Sequence, residues 1–244
     1  MWNVETTTLG RIVVPPSLPE GVVLFYTTSD FRGRLSREIA ADVTTVIQER
    51  LGRTVTLSTC NQVHGAKVTR APQVVEWEES DACDALWTDE SGRALAIKVA
   101  DCLPVTVIES KHHLIANIHA GWRGVAQRIV DAALDEMTHS GSFEAISSDV
   151  YLGPSIRACC FEVGDEVVAR LDQVYVDIER FVDRSRAKPH VDLVAITRFA
   201  LIERGVDPSR IHDSEMCTRC DNSIFHSFRR DPEAGGRNLA IVAQ

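Results

Sequence analysis

The chain has 244 residues, of which 44% are hydrophobic and 25% charged, a globular balance with length for one large domain or two small ones. Its 26 lysines and arginines stand against 35 aspartates and glutamates, and the net charge of −9 makes nucleic acid and anionic membrane surfaces poor partners. Met1 to Pro16 lacks a basic segment followed by a long apolar one, and runs such as Ala94 to Ala100 are too short to span a bilayer, so a cytoplasmic location is expected.

An extended start at Val22 to Phe25 precedes Ser36 to Leu51, where Ile39, Val43, Ile47 and Leu51 recur every four residues along one helical face, ending at Gly52. From Thr54 to Val75, β-branched segments flank Asn61-Gln62-Val63-His64-Gly65, which reads as strand, loop, strand with His64 near a strand end. Three strands are predicted in succession at Ala94–Val99, Val105–Ile108 and Leu114–Ile118. Val125, Ile129, Ala133 and Met137 then predict one helix entered directly through Gly121-Trp122-Arg123-Gly124. A last helix covers about Asp192 to Glu203 and closes at Gly205, before strands near Arg210 and Leu239. With no repeat, low-complexity run or Gly/Ser-rich linker, residues 1–244 read as one α/β (α+β) domain, a mixed β-sheet with helices packed over it.

His64, Cys102 and His119 each fall at a strand-to-loop junction beside Gly65, Pro104 and Gly121, and would supply the three N and S ligands of a catalytic zinc site. Spacing alone leaves that reading level with three separate structural residues, because finger-type ligands sit two to four residues apart. A strand running through Gly121 and Gly124 into a helix would aim backbone N–H groups at an anion, with Arg123 adding a guanidinium fork; plain turn glycines and a solvated arginine are the alternative. Asp101 is either a carboxylate that orients a ligating imidazole or a turn residue. Seven cysteines without a secretory leader read as thiols or metal ligands rather than disulfides. Cys217-Thr218-Arg219-Cys220 is one CxxC, and adjacent Cys159 and Cys160 are not expected to complete a four-ligand site with it. Cys60, Cys83, Cys159 and Cys160 read as small hydrophobes, and Arg229-Arg230-Asp231 as a surface ion pair or a phosphate contact.

Taken together, Asn61 to Gly65, Asp84-Ala85-Leu86, Ala100 to Val105, His119 to Gly124, Gly153 to Ile156, Cys159 to Gly164, Phe228 to Asp231 and Gly236-Arg237 resemble the laccase-domain family of purine nucleoside phosphorylases, formerly labelled polyphenol oxidoreductases. The resemblance runs from about Thr59 to Gln244. It implies zinc on His64, Cys102 and His119 in a mixed α/β fold related to the catalytic domain of a deamidating toxin. It also implies phosphorolysis of adenosine, inosine and guanosine, with adenosine deamination and 5′-methylthioadenosine phosphorolysis at the same site. Arg123 and its turn would then take phosphate, and the metal would activate water or polarise the leaving base. The partners implied are small-molecule nucleosides and phosphate, for a monomer or small homo-oligomer.

Two departures stand out: Thr27 to Leu35 is shorter than the family's corresponding stretch, and Trp87 stands where a smaller residue is expected. Copper-dependent polyphenol oxidation is a weaker reading, because 8 histidines contain no His-x-His pair, although copper could be taken up adventitiously. Two further classes stay open: a metal-free Cys102–His119 amidase acting on peptidoglycan precursors, and an interaction module with a structural zinc.

Overall fold

The computed structural model describes residues 1–31, 37–71, 82–141 and 143–244. In chain order the elements begin β1 (Asn3–Thr7), β2 (Gly10–Val14), β3 (Val23–Thr27), α1 (Arg37–Leu51), β4 (Thr56–Ser58), β5 (Val68–Arg70) and β6 (Ala85–Thr88). The central run is β7 (Arg93–Val99), β8 (Leu103–Glu109), β9 (Leu114–Ala120), α2 (Trp122–Val125), α3 (Ile129–His139) and β10 (Asp149–Leu152). The chain closes with α4 (Asp165–Asp172), β11 (Val182–Asp183), β12 (His190–Val191), α5 (Leu193–Glu203), β13 (Ile211–Asp213) and β14 (Asn238–Ala243). The parts of the expected segments at Arg32 to Ser36 and Pro72 to Val75 lie outside the described residues.

Where one mixed sheet is expected, the strands form two. One runs β1-β2-β3-β14-β7-β4 and the other β13-β10-β8-β9-β6-β5, with a separate β11–β12 ladder. The reason is written in β7, whose side chains alternate between two apolar surroundings. Ala94 and Ala96 pack with Val43 and Ile47 of α1, whereas Leu95 and Ile97 pack with Leu86, Ile108 and Ile115 of the second sheet. Val105, Val107, Ala116 and Ile118 face Ile129, Leu134, Ile196 and Leu201 on the outer helices. Four layers result, helix, sheet, sheet and helices, which explains why the central strands read as continuous apolar runs. Asn117 on β9 ties the sheets together, its Nδ2 donating to Ala240 O at 2.8 Å and to Leu95 O at 3.3 Å.

The helix expected after His119 is broken. Val125, Ile129, Ala133 and Met137 do share the helix-side core, but Arg128 takes a left-handed φ of 60° between α2 and α3. Short bonds from Gln127 N to Gly124 O and Arg128 N to Val125 O tighten that turn, and Arg128 donates to Asp131 Oδ1 at 2.9 Å. The four-residue α2 therefore carries little of the helix dipole assumed from the sequence. Among the described residues no helix is long and apolar enough to cross a membrane. Ile97, fully buried between the sheets, is expected to cost about 2–5 kcal/mol when replaced by alanine, read as a lowered urea midpoint with unchanged slope.

Candidate metal centre and pocket

β8 and β9 pair antiparallel with Leu103 opposite Ala120, so one step past the ladder Cys102 faces Gly121. β6 lies on the other side of β9 with Ala85 opposite Ile118, which sets Asp84 beside His119; His119 N donates to Asp84 O at 2.7 Å. The β4–β5 loop brings His64 over the same point in a left-handed conformation, φ 60°. The ligand atoms of His64, Cys102 and His119 all lie within 4.8 Å of one another, and the two imidazole centroids are 4.8 Å apart at 75°.

The carboxylate that organises this point is Asp84, which is fully buried. Its Oδ1 accepts from His64 N at 2.9 Å and from His119 Nδ1 at 2.8 Å, and its Oδ2 accepts from Gly65 N at 2.7 Å. With Nδ1 facing Asp84, His119 presents Nε2 toward Cys102, the nitrogen through which it would bind a metal. Burial pushes the Asp84 carboxyl up, but the His119 and backbone bonds outweigh it and hold it below its ordinary value. Burial likewise raises Cys102, and the bonds from His119 and His64 overcome it, bringing the thiol down to about 7. His119 is lowered by burial and raised more by Asp84 and Cys102, to about 9. A thiolate flanked by two imidazoles, one already oriented from behind, is a donor set that fits zinc.

Asp101 does something other than orient an imidazole. It takes φ 86° where the chain crosses from β7 to β8, its Oδ1 accepts from Thr218 Oγ1 at 2.6 Å and its Oδ2 from Arg229 N at 2.6 Å. It therefore anchors the C-terminal loop from a turn position; of the two roles the sequence leaves open for Asp101, the geometry favours the turn residue, and the carboxylate beside the imidazole is Asp84. Gly121 and Gly124 are needed for close approach: a Cβ on Gly121 would come within 2.9 Å of Cys102 Sγ and 3.2 Å of His64 Cδ2, and one on Gly124 within 3.0 Å of Gly65 O.

The three candidate ligands open onto a cavity of about 800 Å³. Lys98, Arg123, Arg229 and Arg237 bring cations to its wall, and Trp122, Phe161 and Phe228 bring aromatic surface. Phe228 is 55% exposed, unusual for a large apolar side chain unless something covers it. Gln62 is committed to the scaffold, its Nε2 and Oε1 pairing with Lys98 O and Lys98 N. Arg230 caps Thr218 O and Phe225 O and pairs with Asp231, so of that arginine pair only Arg229 reaches the cavity. Trp87 is buried against the helix layer rather than lining the cavity, as are Cys60 and Cys83 between the sheets. Thr27 to Phe31 packs elsewhere, with Ser29 N donating to Ile224 O and Asp30 pairing with Arg11; the rest of that shortened stretch, to Leu35, is outside the described residues.

Cys159, Cys160, Cys217 and Cys220 depart from the sequence expectation. Their four sulfurs lie within 4.8 Å of one another, so the two pairs do meet, and Cys159 is exposed rather than packed as a small hydrophobe, whereas Cys160 is buried.

Residues 35–244 match the family model described as multi-copper polyphenol oxidoreductase laccase. The chain belongs to that family. Adenosine deaminase RL5, from an unknown prokaryotic organism, is 33% identical over 222 residues, covering 87% of this chain and 80% of the relative. Purine nucleoside phosphorylase YlmD of Geobacillus stearothermophilus is 34% identical over 196 residues, 76% of this chain and 71% of the relative. The crystal structure of YlmD from Geobacillus stearothermophilus superposes with a TM-score of 0.83 at 27% identity, over 99% of this chain and 98% of that one. The laccase-family fold is thus shared along the whole chain, including its first strands.

Two substitutions probe the centre. Asp84→Asn is expected to weaken zinc binding by about 10–100-fold, measured by competition with a chromogenic chelator. Gly121→Ala is expected to displace Cys102 or His64 and lower metal content in elemental analysis while far-UV circular dichroism stays unchanged.

Proposed function

We propose that this chain is a zinc-dependent purine nucleoside phosphorylase acting on adenosine, inosine and guanosine, and on 5′-methylthioadenosine, with adenosine deamination at the same site. One observation carries the reading: His64, Cys102 and His119 converge on the wall of a cavity that also presents four cationic and three aromatic side chains. The names of the relatives, a purine nucleoside phosphorylase and an adenosine deaminase, agree with it.

Phosphorolysis forms a bond from a phosphate oxygen to C1′ of the ribose and breaks the C1′–N9 bond, whose electron pair passes to the purine. Arg123, with Lys98, Arg229 and Arg237, would hold the phosphate by charge-assisted bonds and screen its charge as it approaches the sugar. The Arg123 guanidinium lies 4.6 Å from the Trp122 ring centroid, which keeps that fork at the cavity mouth. Phe228 offers an exposed face on which a purine could stack. Asp84 engages Nδ1 of His119, which leaves Nε2 as the nitrogen that would hold the metal. When bound, zinc supplies Lewis-acid stabilisation of the charge that develops on the leaving base or on an attacking water. Copper at the same N and S donors is treated as adventitious loading.

A second reading has a specific observation behind it. Cys102, His119 and Asp84 stand in the hydrogen-bonded order of nucleophile, base and orienting carboxylate, with the thiol brought down to about 7. His64 also bonds the sulfur, and this second imidazole is what a metal site needs and an amidase does not.

Elemental analysis paired with phosphate-dependent release of base from adenosine and inosine tests the proposal. Bound zinc with phosphate-dependent release supports it, and Cys102→Ala should then lose metal and turnover together. Loss of turnover with metal retained, or metal-free protein alkylated stoichiometrically at Cys102 that leaves nucleosides intact, moves the assignment to the Cys–His amidase. Arg123→Ala is expected to raise the KM for phosphate by about tenfold or more with a smaller change in the KM for nucleoside, measured by initial rates.

A further inference from the structure

We propose that Cys159, Cys160, Cys217 and Cys220 form a second metal centre, a closed zinc tetrathiolate that fixes one wall of the cavity. The reading rests on the geometry of these four residues and is independent of the phosphorylase assignment.

The Sγ of Cys159 lies 3.7 Å from each of the sulfurs of Cys160, Cys217 and Cys220, and Cys160 Sγ lies 3.3 Å from Cys220 Sγ. A tetrahedron with Zn–S bonds of about 2.3 Å has sulfur–sulfur edges of about 3.8 Å. Four of the six edges thus match or fall slightly inside those of a zinc tetrahedron, and all six lie within 4.8 Å. An iron–sulfur cluster, whose cysteines bind different irons, would need wider spacing than the 4.8 Å within which all four fall. Adjacent Cys159 and Cys160 can both point inward because the chain turns there, with Cys160 N and Phe161 N both donating to Arg157 O. The Cys217–Cys220 pair supplies the other two corners from a turn in which Asp221 N donates to Cys217 O and Asn222 N to Cys220 O.

The surroundings suit an anionic centre. Four thiols that bind one zinc ion release their four protons to solvent with no change of oxidation state, leaving a net charge of −2. Arg219 Nη1 donates to Cys160 Sγ at 3.5 Å and Arg186 Nη1 to Cys159 O at 2.9 Å, placing two cations against it. All four coordination positions are filled by protein, in contrast to the three-ligand set on the cavity, so this centre holds structure.

What it holds is specific. Ser155 N donates to Met216 O and Thr218 N to Ser155 O, so the two cysteine pairs lie on segments already laid side by side. The first segment continues into Phe161 and Glu162, the second into Phe228 and Arg229, and all four residues line the cavity. Arg229 Nη1 closes the arch on Glu162 O at 2.8 Å. A metal crosslink here removes conformational freedom between stretches nearly sixty residues apart in sequence, adding to the β10–β13 pairing and the Ser155–Cys217 contact that already bring them together.

The test uses the full chain purified under reducing conditions. Zinc content is expected at about two per chain, falling to about one in Cys217→Ser/Cys220→Ser, which also melts at lower temperature. Should that double variant fail to fold, Cys102→Ala, which has no thiolate left at the cavity site, is loaded with cobalt(II). Strong thiolate-to-cobalt charge-transfer absorption with tetrahedral ligand-field bands is then expected from the cluster alone. Equal zinc content in the wild type and the double variant overturns the proposal, as does a Cys102→Ala cobalt spectrum without thiolate charge transfer. Disulfides among these four cysteines in the reduced protein would also overturn it.

Discussion

The buried carboxylate of Asp84 is the constraint on which the candidate site depends. An ionised carboxylate with no exposed surface carries a large desolvation cost, and here it is offset by N–H donors from His64, Gly65 and the His119 ring. Those same bonds hold the β4–β5 loop with His64 left-handed and decide which nitrogen of His119 faces Cys102. Remove the carboxylate, and the loop loses its anchor, the imidazole loses its orientation and Cys102 loses the two partners that favour its thiolate. One oxygen pair thereby couples strand register, loop conformation and ligand chemistry.

Asp101 plays a parallel part on the opposite wall. Its two oxygens bind Thr218 and Arg229, so the C-terminal loop that carries Phe228 is tied to the residue preceding Cys102. The cavity is thus framed by two aspartates, one acting on the candidate ligands and one on the loop that closes over them. The four-cysteine cluster lies behind this second wall and joins the same loop to the segment after β10. Two groups of thiols and imidazoles with different coordination capacity therefore serve different ends: an open set facing the cavity, and a closed set outside its lining.

The glycines of the His119 to Gly124 motif take on a different meaning in the folded chain. Their sequence context suggests a helix entrance aimed at an anion, yet α2 is a single turn and the backbone is small there because Cys102, His64 and the Gly65 carbonyl press against it. The cations on the cavity wall come instead from side chains on β7, α2 and the C-terminal loop, whose separate positions in sequence gave no sign that they meet.

The sequence by itself determined the faces and the donors. Four-residue periodicity placed Val125, Ile129, Ala133 and Met137 on one buried face, and the apolar runs at β7, β8 and β9 announced three successive strands. His64, Cys102 and His119 were visible as metal-ligand types at strand ends because such chemistry is carried by residue identity. Tertiary structure decided who meets whom. A local period reports which side of an element is apolar but not which element covers it, so the split into two sheets was hidden, as was the break at Arg128. Asp101, next to Cys102, was the orienting carboxylate the sequence suggested, and only the β6–β9 register puts Asp84 beside the imidazole. The cysteine pairs at 159–160 and 217–220 look unrelated along the chain, and only the parallel contact of Ser155 with Cys217 makes them neighbours, because ligand geometry is a property of space and not of spacing.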